Sequence, residues 1–143
     1  MPLLQLDMAS LAFTPEQGQA LRQGLTSLMV DVLRKRADLT VVNVSQRRPQ
    51  AWSVGGQALA DNAWSASLQV FITAGTNEAR ERARFISAAD ALIHEVMQGP
   101  AATPLYIVVH EVPADSWGYD GLTQAARKRG QTGQPVLDRK SVV

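Results

Sequence analysis

The strongest constraint in this sequence is an internal repeat with a period of about 65 residues. Trp117 lies 65 residues after Trp52, and a glycine-containing turn follows each tryptophan. Residues 4–6 (LQL) match residues 68–70 (LQV) at a spacing of 64. A repeat of this length means that one supersecondary unit occurs twice, so the two halves of the chain should fold alike.

The first unit has the pattern strand, helix, strand. Residues 3–9 (LLQLDMA) alternate in polarity, which predicts a strand. Thr14, followed by a proline and by Gln17 three positions on, predicts the capped start of a helix. Residues 39–44 (LTVVNV) are rich in β-branched side chains and predict a second strand, and residues 52–56 predict a turn. The buried stripe of the helix is predicted to comprise Leu21, Leu25, Leu28, Met29, Val32 and Leu33.

The second unit repeats this order. Residues 67–73 (SLQVFIT) predict a strand, and Asn77 is the predicted N-cap of a helix that runs to about Gln98. A Gly-Pro pair ends that helix. Residues 105–109 predict a buried strand and residues 117–121 a turn. The inner face of the second helix is predicted to carry Ile86, Ala89, Ile93 and Val96.

Two such units predict an α/β (α+β) fold, with a four-stranded mixed sheet and two helices on one face. Each β-α-β crossover is right-handed and joins parallel strands. The strands are predicted to be apolar on both sides, so the sheet face without helices must also be covered. A single copy has nothing to cover it, which predicts a homo-oligomer. We expect one domain over residues 1–143, with unit one at 2–61, unit two at 64–129 and a tail at 130–143. The tail is either disordered or packed on a neighbouring subunit.

Composition argues against several kinds of protein. The absence of cysteine excludes disulfides, thiol nucleophiles and cysteine-based zinc sites. No metal site is predicted, since His94 and His110 have no second ligand at a suitable spacing. A net charge of +1 gives no reason to expect nucleic acid or an anionic membrane as a partner. No apolar run approaches the ~18 residues of a membrane helix, and the N-terminus lacks a signal-peptide pattern, so we expect a cytoplasmic protein.

Three segments resemble a known family. They are Met1-Pro2-Leu3-Leu4, residues 109–121 (VHEVPADSWGYDG), and Val42-Asn43-Val44 with Gly55-Gly56. Together with the doubled unit, they resemble the tautomerase superfamily over residues 2–129. Its 4-oxalocrotonate tautomerases (4-OT) have one unit per chain. Macrophage migration inhibitory factor (MIF), malonate semialdehyde decarboxylase and the cis-3-chloroacrylic acid dehalogenases have two fused units and form trimers. The resemblance therefore implies a fused, MIF-like fold and a homotrimer.

The resemblance also implies that Pro2 is the catalytic residue once Met1 has been removed. An α-amino group ordinarily has a pKa of about 7.7–8.0, and burial and nearby cations both favour its neutral form. A neutral proline nitrogen can move a proton within a small enol or keto acid as a general base, which needs no metal or cofactor. The predicted function is therefore a cofactor-independent tautomerase. Unit two has Ala66 or Ser67 at the corresponding place, so we expect one proline site per chain.

Two alternatives stay open at this point. Family members that decarboxylate or dehalogenate use the same proline as a charged acid, so a lyase of this kind is a second hypothesis. A trimeric binding protein that kept the fold and lost activity is a third. The arginines that hold substrate carboxylates in 4-OT correspond here to Ala12 and Val41 in unit one and to Thr76 and Tyr106 in unit two. The arginines that the dehalogenases and the decarboxylase carry after the third strand are also missing, from Ala74-Gly75-Thr76-Asn77, which counts against the lyases. The missing carboxylate contacts favour the binding protein, and the retained Pro2 counts against it.

The remaining candidates for contact with a small carbonyl or carboxylate substrate are few. Arg47 and Arg48 follow the second strand, and Arg84 lies on the second helix. For each of these arginines, a solvated surface position is the favoured alternative. The basic runs at residues 34–36 and 127–129 are predicted to be solvated helix ends, which the helix dipole favours.

Three further candidates follow from the resemblance. Tyr106 matches the position of a pocket tyrosine of MIF, and Trp117, like Trp52, that of a pocket phenylalanine of 4-OT. Asp38 lies within one residue of an aspartate that the decarboxylase uses. For each of them, an ordinary packing or turn position is the alternative.

Overall fold

The elements of the structure follow the predicted order. The computed structural model describes residues 1–131, and the predicted tail lies, from residue 132 onward, outside the described residues. The chain forms β1 (Leu3–Ala9), α1 (Pro15–Asp31), β2 (Val41–Arg47), β3 (Ser53–Val54), β4 (Gln57–Ala58), β5 (Ser65–Thr73), α2 (Ala79–Met97), β6 (Tyr106–Val112), β7 (Gly118–Tyr119), β8 (Leu122–Thr123) and α3 (Gln124–Gln131).

The main sheet has the strand order β2-β1-β5-β6, and it is mixed as predicted. β1 pairs parallel with β2, β5 pairs parallel with β6, and β1 and β5 meet antiparallel at the centre. Gln5 faces Gln69 across that central pair. These two residues also correspond in the 64-residue repeat, so a local twofold axis passes between them and relates the two units.

Local sequence signals set the start of α1 as predicted. The Thr14 Oγ1 atom accepts a hydrogen bond from the Gln17 backbone N–H at 3.1 Å, and Gln17 Oε1 accepts one from the Thr14 N–H at 2.9 Å. This reciprocal pair is the capping box that the sequence indicates, and it pairs two donors that a helix start leaves open.

The start of α2 differs from the prediction. Glu78, not Asn77, is the N-cap, and its N–H donates to Glu81 Oε1 at 2.9 Å. The Asn77 side chain instead donates from Nδ2 to the Leu33 carbonyl at 3.0 Å, so it ties the start of α2 to the end of α1.

Both helices pack on one face of the sheet and enclose a single core. The predicted α1 stripe is confirmed, with Leu28 and Val32 half-buried at its margin. On α2 the predicted inner face is confirmed for Ala89 and Ile93, which are buried. It is wrong for Ile86, which is 37% exposed, and for Val96, which is only half-buried. Residues at four-residue intervals face the core instead, which keeps a helical stripe pointing at the sheet. The buried residues of α2 are Phe85, Ala89, Ile93 and Met97.

The opposite face of the sheet is not uniformly apolar, contrary to the prediction. Gln5 and Gln69 are exposed at its centre, on the two inner strands. Apolar side chains are exposed on the edge strands instead, namely Val41, Tyr106 and Val108. The need for a cover therefore rests on the exposed apolar side chains of the two edge strands and not on the whole face.

Two short hairpins occupy the predicted turns. β3 pairs with β4 and β7 with β8, and each turn has two residues with positive φ, Gly55-Gly56 and Asp120-Gly121. Such turns match the twist of antiparallel strands, and they favour the Gly-Gly and Asp-Gly pairs found here. In the described part of the chain, no helix has both the length and the apolar character that crossing a membrane requires.

Candidate active site

Pro2 lies at the centre of the sheet, at the end where β1 begins. It is buried, and its carbonyl accepts a hydrogen bond from the Val41 N–H at 3.1 Å. The antiparallel register that sets Leu3 against Phe71 puts Pro2 opposite Ile72. The N-terminus opens into a cleft that is lined by Met1, Pro2, Lys35, Ile72, Thr73, Thr76 and Trp117.

Lys35 reaches this cleft because the chain reverses after α1. Arg34 has a left-handed backbone with φ of 59°, and the Lys35 N–H donates to the Met29 carbonyl at 2.9 Å. The Lys35 side chain then donates from Nζ to Thr76 Oγ1 at 2.9 Å. The prediction of a solvated basic end is therefore wrong for Lys35, although Arg34 and Arg36 are exposed.

Thr73, Thr76 and Trp117 form the wall of the cleft that unit two supplies. The Thr76 hydroxyl donates to the Thr73 carbonyl at 2.7 Å, which leaves its lone pairs to the Lys35 ammonium. Trp117 Nε1 donates to Thr73 Oγ1 at 3.2 Å. The loop after β5 can turn here because Gly75 has φ of 81°. These bonds hold Lys35 and the Trp117 ring in the cleft that Pro2 also lines.

A groove continues from the cleft towards α3. Met1, Thr73 and Thr76 line both the cleft and the groove. Other residues that line the groove are Leu39, Tyr119, Gln124, Arg127 and Lys128. The Arg127 guanidinium carbon lies 3.8 Å from the centroid of the Tyr119 ring. Arg127 is half-buried, so the prediction of a solvated helix end is wrong for this residue as well.

The cleft has a basic character. Among the described residues that line the cleft and the groove there is no carboxylate, whereas three are cationic: Lys35, Arg127 and Lys128. Burial, followed by the charges of Lys35 and Arg127, lowers the pKa of the Met1 α-amine from its ordinary value of 8.0. Burial and the neighbouring Arg34 also lower the pKa of Lys35, and Glu81 opposes them. Such a site favours a neutral amine and an anionic ligand.

Other sequence candidates lie away from Pro2 within one chain. Arg47 pairs with Asp7 at 3.3 Å, six residues along the strand from the end where Pro2 lies. At ~3.3 Å per residue this is about 20 Å from the cleft. Arg48 is exposed just beyond Arg47, and Arg84 is exposed on α2.

Asp38 and Tyr106 do not line the cleft of their own chain either. Both carboxylate oxygens of Asp38 accept hydrogen bonds from the Arg36 guanidinium, at 3.1 and 2.7 Å. Tyr106 is 76% exposed at the start of β6. It pairs with Ser67, which faces Asp7 near the end of β1. Of the substrate-binding candidates from the sequence, Trp117 alone lies beside Pro2.

Within residues 1–131, no group of three or more histidine, aspartate or glutamate side chains is arranged to hold a metal ion.

The sequence is similar to that of a known probable tautomerase. No protein-family model matches the chain. It is 31% identical over 67 residues to the probable tautomerase K2 of Dickeya dadantii (strain 3937), a match that covers 47% of this chain and all of that protein. Since 67 residues is close to the repeat period, the relative has about the length of one unit.

Solved structures match the fold over nearly their whole length. A wild-type fused 4-OT, a symmetric trimer, superposes with a TM-score of 0.77 at 20% identity, covering 89% of this chain and 99% of that one. An MIF-like protein from Entamoeba histolytica superposes with a TM-score of 0.69 at 16% identity, covering 85% and 97%. At such identities the matches confirm the predicted fold alone. The match to the probable tautomerase, at 31% identity over the whole of that relative, shows that this chain belongs to the tautomerase superfamily.

Proposed function

We propose that the protein is a cofactor-independent tautomerase in which the ring nitrogen of Pro2, freed by removal of Met1, is the general base. The observation that carries this proposal is the enclosure of the N-terminus in a basic cleft. Pro2 is buried, whereas Met1 is only half-buried, so removal of Met1 would put the amine one residue deeper among the same groups.

The electrostatics of the cleft suit a base. Burial, Lys35 and Arg127 all lower the pKa of the amine at this end of the chain. A general base works best when its pKa lies near the working pH, because it must be neutral and still accept a proton. A proline nitrogen in this position would be neutral in a larger share of molecules than an exposed α-amine.

The reaction step moves one proton and leaves the atoms of the substrate unchanged. The neutral nitrogen takes a proton from a carbon α to a carbonyl, and the electron pair of that C–H bond shifts to give an enolate. The resulting ammonium returns the proton to another position of the conjugated system. Substrate and product are isomers, and the amine ends the cycle in its starting form.

Lys35 is the residue that we propose for binding the carboxylate or the developing enolate. Its ammonium is fixed by Thr76 at 2.9 Å, close to the N-terminus. A positioned cation lowers the energy of a negative charge that grows during the reaction. Lys35 thus supplies a function for which the sequence offers no arginine at the expected positions.

The alternatives receive less support. Asp38, the residue that corresponds to the decarboxylase aspartate, is exposed, and both of its carboxylate oxygens accept hydrogen bonds from Arg36. An inactive binding protein would have no need to enclose its N-terminus beside Lys35, where the pKa of the Met1 amine is lowered.

We also propose that the protein works as a homotrimer. The fused 4-OT to which the fold is similar is a symmetric trimer. Edge strands β2 and β6 expose Val41, Tyr106 and Val108, which suits contact with other copies. In a trimer, Tyr106 could contribute to the cleft of a neighbouring copy.

The test compares three proteins with their N-termini verified by mass spectrometry. These are the Met1-free wild type, Pro2→Ala, and a form with an extra peptide before Pro2, which turns its nitrogen into an amide. We expect the extended form to lose about 10²- to 10⁴-fold in the rate of 2-hydroxymuconate or phenylpyruvate tautomerisation, the usual contribution of a general base. The same peptide at the C-terminus is the control. Equal rates for the wild type and both altered forms would exclude Pro2 as the base.

A further inference from the structure

Asn77 is a buried polar residue to which the proposed proton transfer gives no role. It follows Thr76 in the loop between β5 and α2, and only 8% of its surface is exposed. Its Nδ2 atom donates to the Leu33 carbonyl at 3.0 Å, across 44 positions of the chain. A buried amide destabilises a protein unless it is hydrogen-bonded, so the position of the Asn77 side chain depends on this bond.

The internal repeat shows what the same position holds in the other unit. At the spacing of 64, Asn77 corresponds to Phe13, just as the N-cap Glu78 corresponds to the N-cap Thr14. Phe13 is apolar and packs against the core. Each unit therefore has an inward-facing residue before its helix. In unit two, whose loop borders the Pro2 cleft, that residue is an amide that reaches across to unit one.

The Leu33 carbonyl lies at the chain reversal that directs Lys35 into the cleft. Leu33 is buried, and it directly precedes Arg34, the residue with positive φ. On the other side of the bond, Asn77 directly follows Thr76, whose Oγ1 atom accepts the hydrogen bond from Lys35 Nζ at 2.9 Å. The bond between Asn77 and Leu33 therefore joins the two segments that carry the Lys35–Thr76 contact, within two residues of each of its ends.

Charged residues of α2 and β6 hold the loop that contains Asn77. Arg82 on α2 donates to the Asn77 carbonyl at 2.7 Å and pairs with Glu111 on β6 at 3.2 Å. Glu111 also accepts a hydrogen bond from the Gly75 N–H at 3.3 Å. The backbone of Asn77 is thus fixed to unit two, so its side chain determines where the end of α1 lies relative to the loop.

We propose that Asn77 is a positioning residue: through the Leu33 carbonyl it sets the chain reversal after α1 and thereby places the Lys35 ammonium in the Pro2 cleft. This inference rests on the proposed function, because Lys35 acts in the same site. Asn77 lines neither the cleft nor the groove, so it acts on the reaction only through Lys35 and Thr76. Without its bond, the reversal is free to relax and Lys35 becomes more solvated.

The kinetic test uses Asn77→Leu, which removes the amide and nearly keeps its volume. The charge of Lys35 lowers the pKa of the Met1 amine and, in the proposed mechanism, that of the Pro2 amine that replaces it. Burial and Arg34 lower the pKa of Lys35 itself, and Glu81 raises it.

If Lys35 turns towards solvent, its own pKa and that of the amine both rise. Both limbs of the kcat/KM profile should therefore move to higher pH. At neutral pH, kcat/KM for 2-hydroxymuconate should fall by about 10- to 100-fold, because a displacement of ~1 Å can cost that much. A loss of folded protein alone would lower the whole profile and move neither limb.

Gln46→Leu is the matched control. Gln46 is the repeat counterpart of Glu111, and its Nε2 atom donates to the Ser10 carbonyl at 2.8 Å, at the end of β1 remote from Pro2. Its replacement also removes an amide-to-carbonyl bond and should lower the urea midpoint, but both limbs should stay in place. Asn77→Gln keeps an amide and should restore part of the wild-type profile. Limbs that match the wild type in Asn77→Leu, or equal shifts in Gln46→Leu, would overturn the role of Asn77 and leave the proline mechanism intact.

Chemical labelling follows Lys35 independently of catalysis. Acetylation by acetic anhydride is measured over a pH series by peptide mass spectrometry, with the exposed Lys128 as the internal reference for the reagent. In the wild type, the midpoint for Lys35 should lie below the ordinary lysine pKa of 10.5, and Asn77→Leu should move it up towards that value.

This measurement separates the inference from the proposed function, because it needs no turnover. A midpoint that moves in a protein without tautomerase activity would support the role of Asn77 and refute only the proposed reaction. If circular dichroism shows that Asn77→Leu does not fold, Asn77→Ala takes its place with the same shift expected. A wild-type midpoint at 10.5, or an unmoved midpoint in a folded variant, would refute the positioning role even if the tautomerase activity were present.

Discussion

Replacing Lys35 with glutamine is the sharpest perturbation of the cleft. The Lys35→Gln side chain keeps a donor for Thr76 Oγ1, which lies 2.9 Å from Nζ in the wild type, but it removes the positive charge. Because Lys35 is half-buried, solvent screens its charge less than that of a surface lysine. A hydrogen bond between charged groups contributes roughly 1.5–3 kcal/mol. At 1.36 kcal/mol per tenfold, kcat/KM for a carboxylate substrate should fall by about 10- to 150-fold.

The pH profile separates the charge effect from a loss of fold. Lys35 is one of the causes that lower the pKa of the N-terminal amine, so its removal raises that pKa. In the proposed mechanism the neutral amine is the active form, and the acid limb of kcat/KM should therefore move to higher pH. The wild type should also lose activity at high pH, below the ordinary lysine value of 10.5, as Lys35 itself loses its proton. That basic limb should disappear in Lys35→Gln.

Arg34→Gln is the matched control. Arg34 is adjacent in sequence, carries the same charge and has a side chain that is 69% exposed, yet it does not line the cleft. Its removal should change kcat/KM at neutral pH by no more than about twofold, since exposed charges act weakly. Arg34 does lower the pKa of Lys35, so the basic limb should move to higher pH in this variant. If Lys35→Gln and Arg34→Gln gave the same profile, the assignment of Lys35 to the site would be refuted.

Two further predictions concern the framework of the site. A Cβ added at Gly118 would lie 1.9 Å from the Leu122 carbonyl oxygen. Gly118→Ala should therefore disturb the hairpin beside Trp117, lower the free energy of unfolding in urea by roughly 1–3 kcal/mol and lower kcat/KM. An unchanged urea midpoint would contradict the tight hairpin. Sedimentation should give a mass near three times 15.5 kDa. Replacing Val41 and Val108, both about 41% exposed, with charged residues should weaken the assembly. A stable monomer of full activity would exclude the trimer.

The secondary structure was accessible from sequence because its signals are local. The alternation of apolar and polar residues predicted β1, and the Thr14 capping box predicted the start of α1. The start of α2 was predicted one residue too early because asparagine is a favoured N-cap. The Asn77 side chain bonds to the Leu33 carbonyl instead, a tertiary contact that the local sequence does not indicate.

The site was only partly accessible because it depends on register and chain reversal. Arg47 looked suitable as a basic residue after a strand, but parallel pairing of β2 with β1 carries it to the end opposite Pro2. Lys35 enters the cleft through a left-handed residue that is arginine and not glycine, so the usual sequence signal for such a reversal is lacking. Arg127 depends on its stacking against Tyr119, a contact that no spacing rule predicts.

The local twofold axis explains why a doubled chain has a single proposed site. It relates Pro2 opposite Ile72 to Ala66 opposite Met8. Ala66 lies inside β5, where its nitrogen is an amide and cannot act as a base. The Pro2 cleft takes Pro2 and Lys35 from unit one but Thr76 and Trp117 from unit two. Neither unit alone holds a complete site, so fusion puts both halves of one cleft into the same chain and frees the second cleft from the need for an amine.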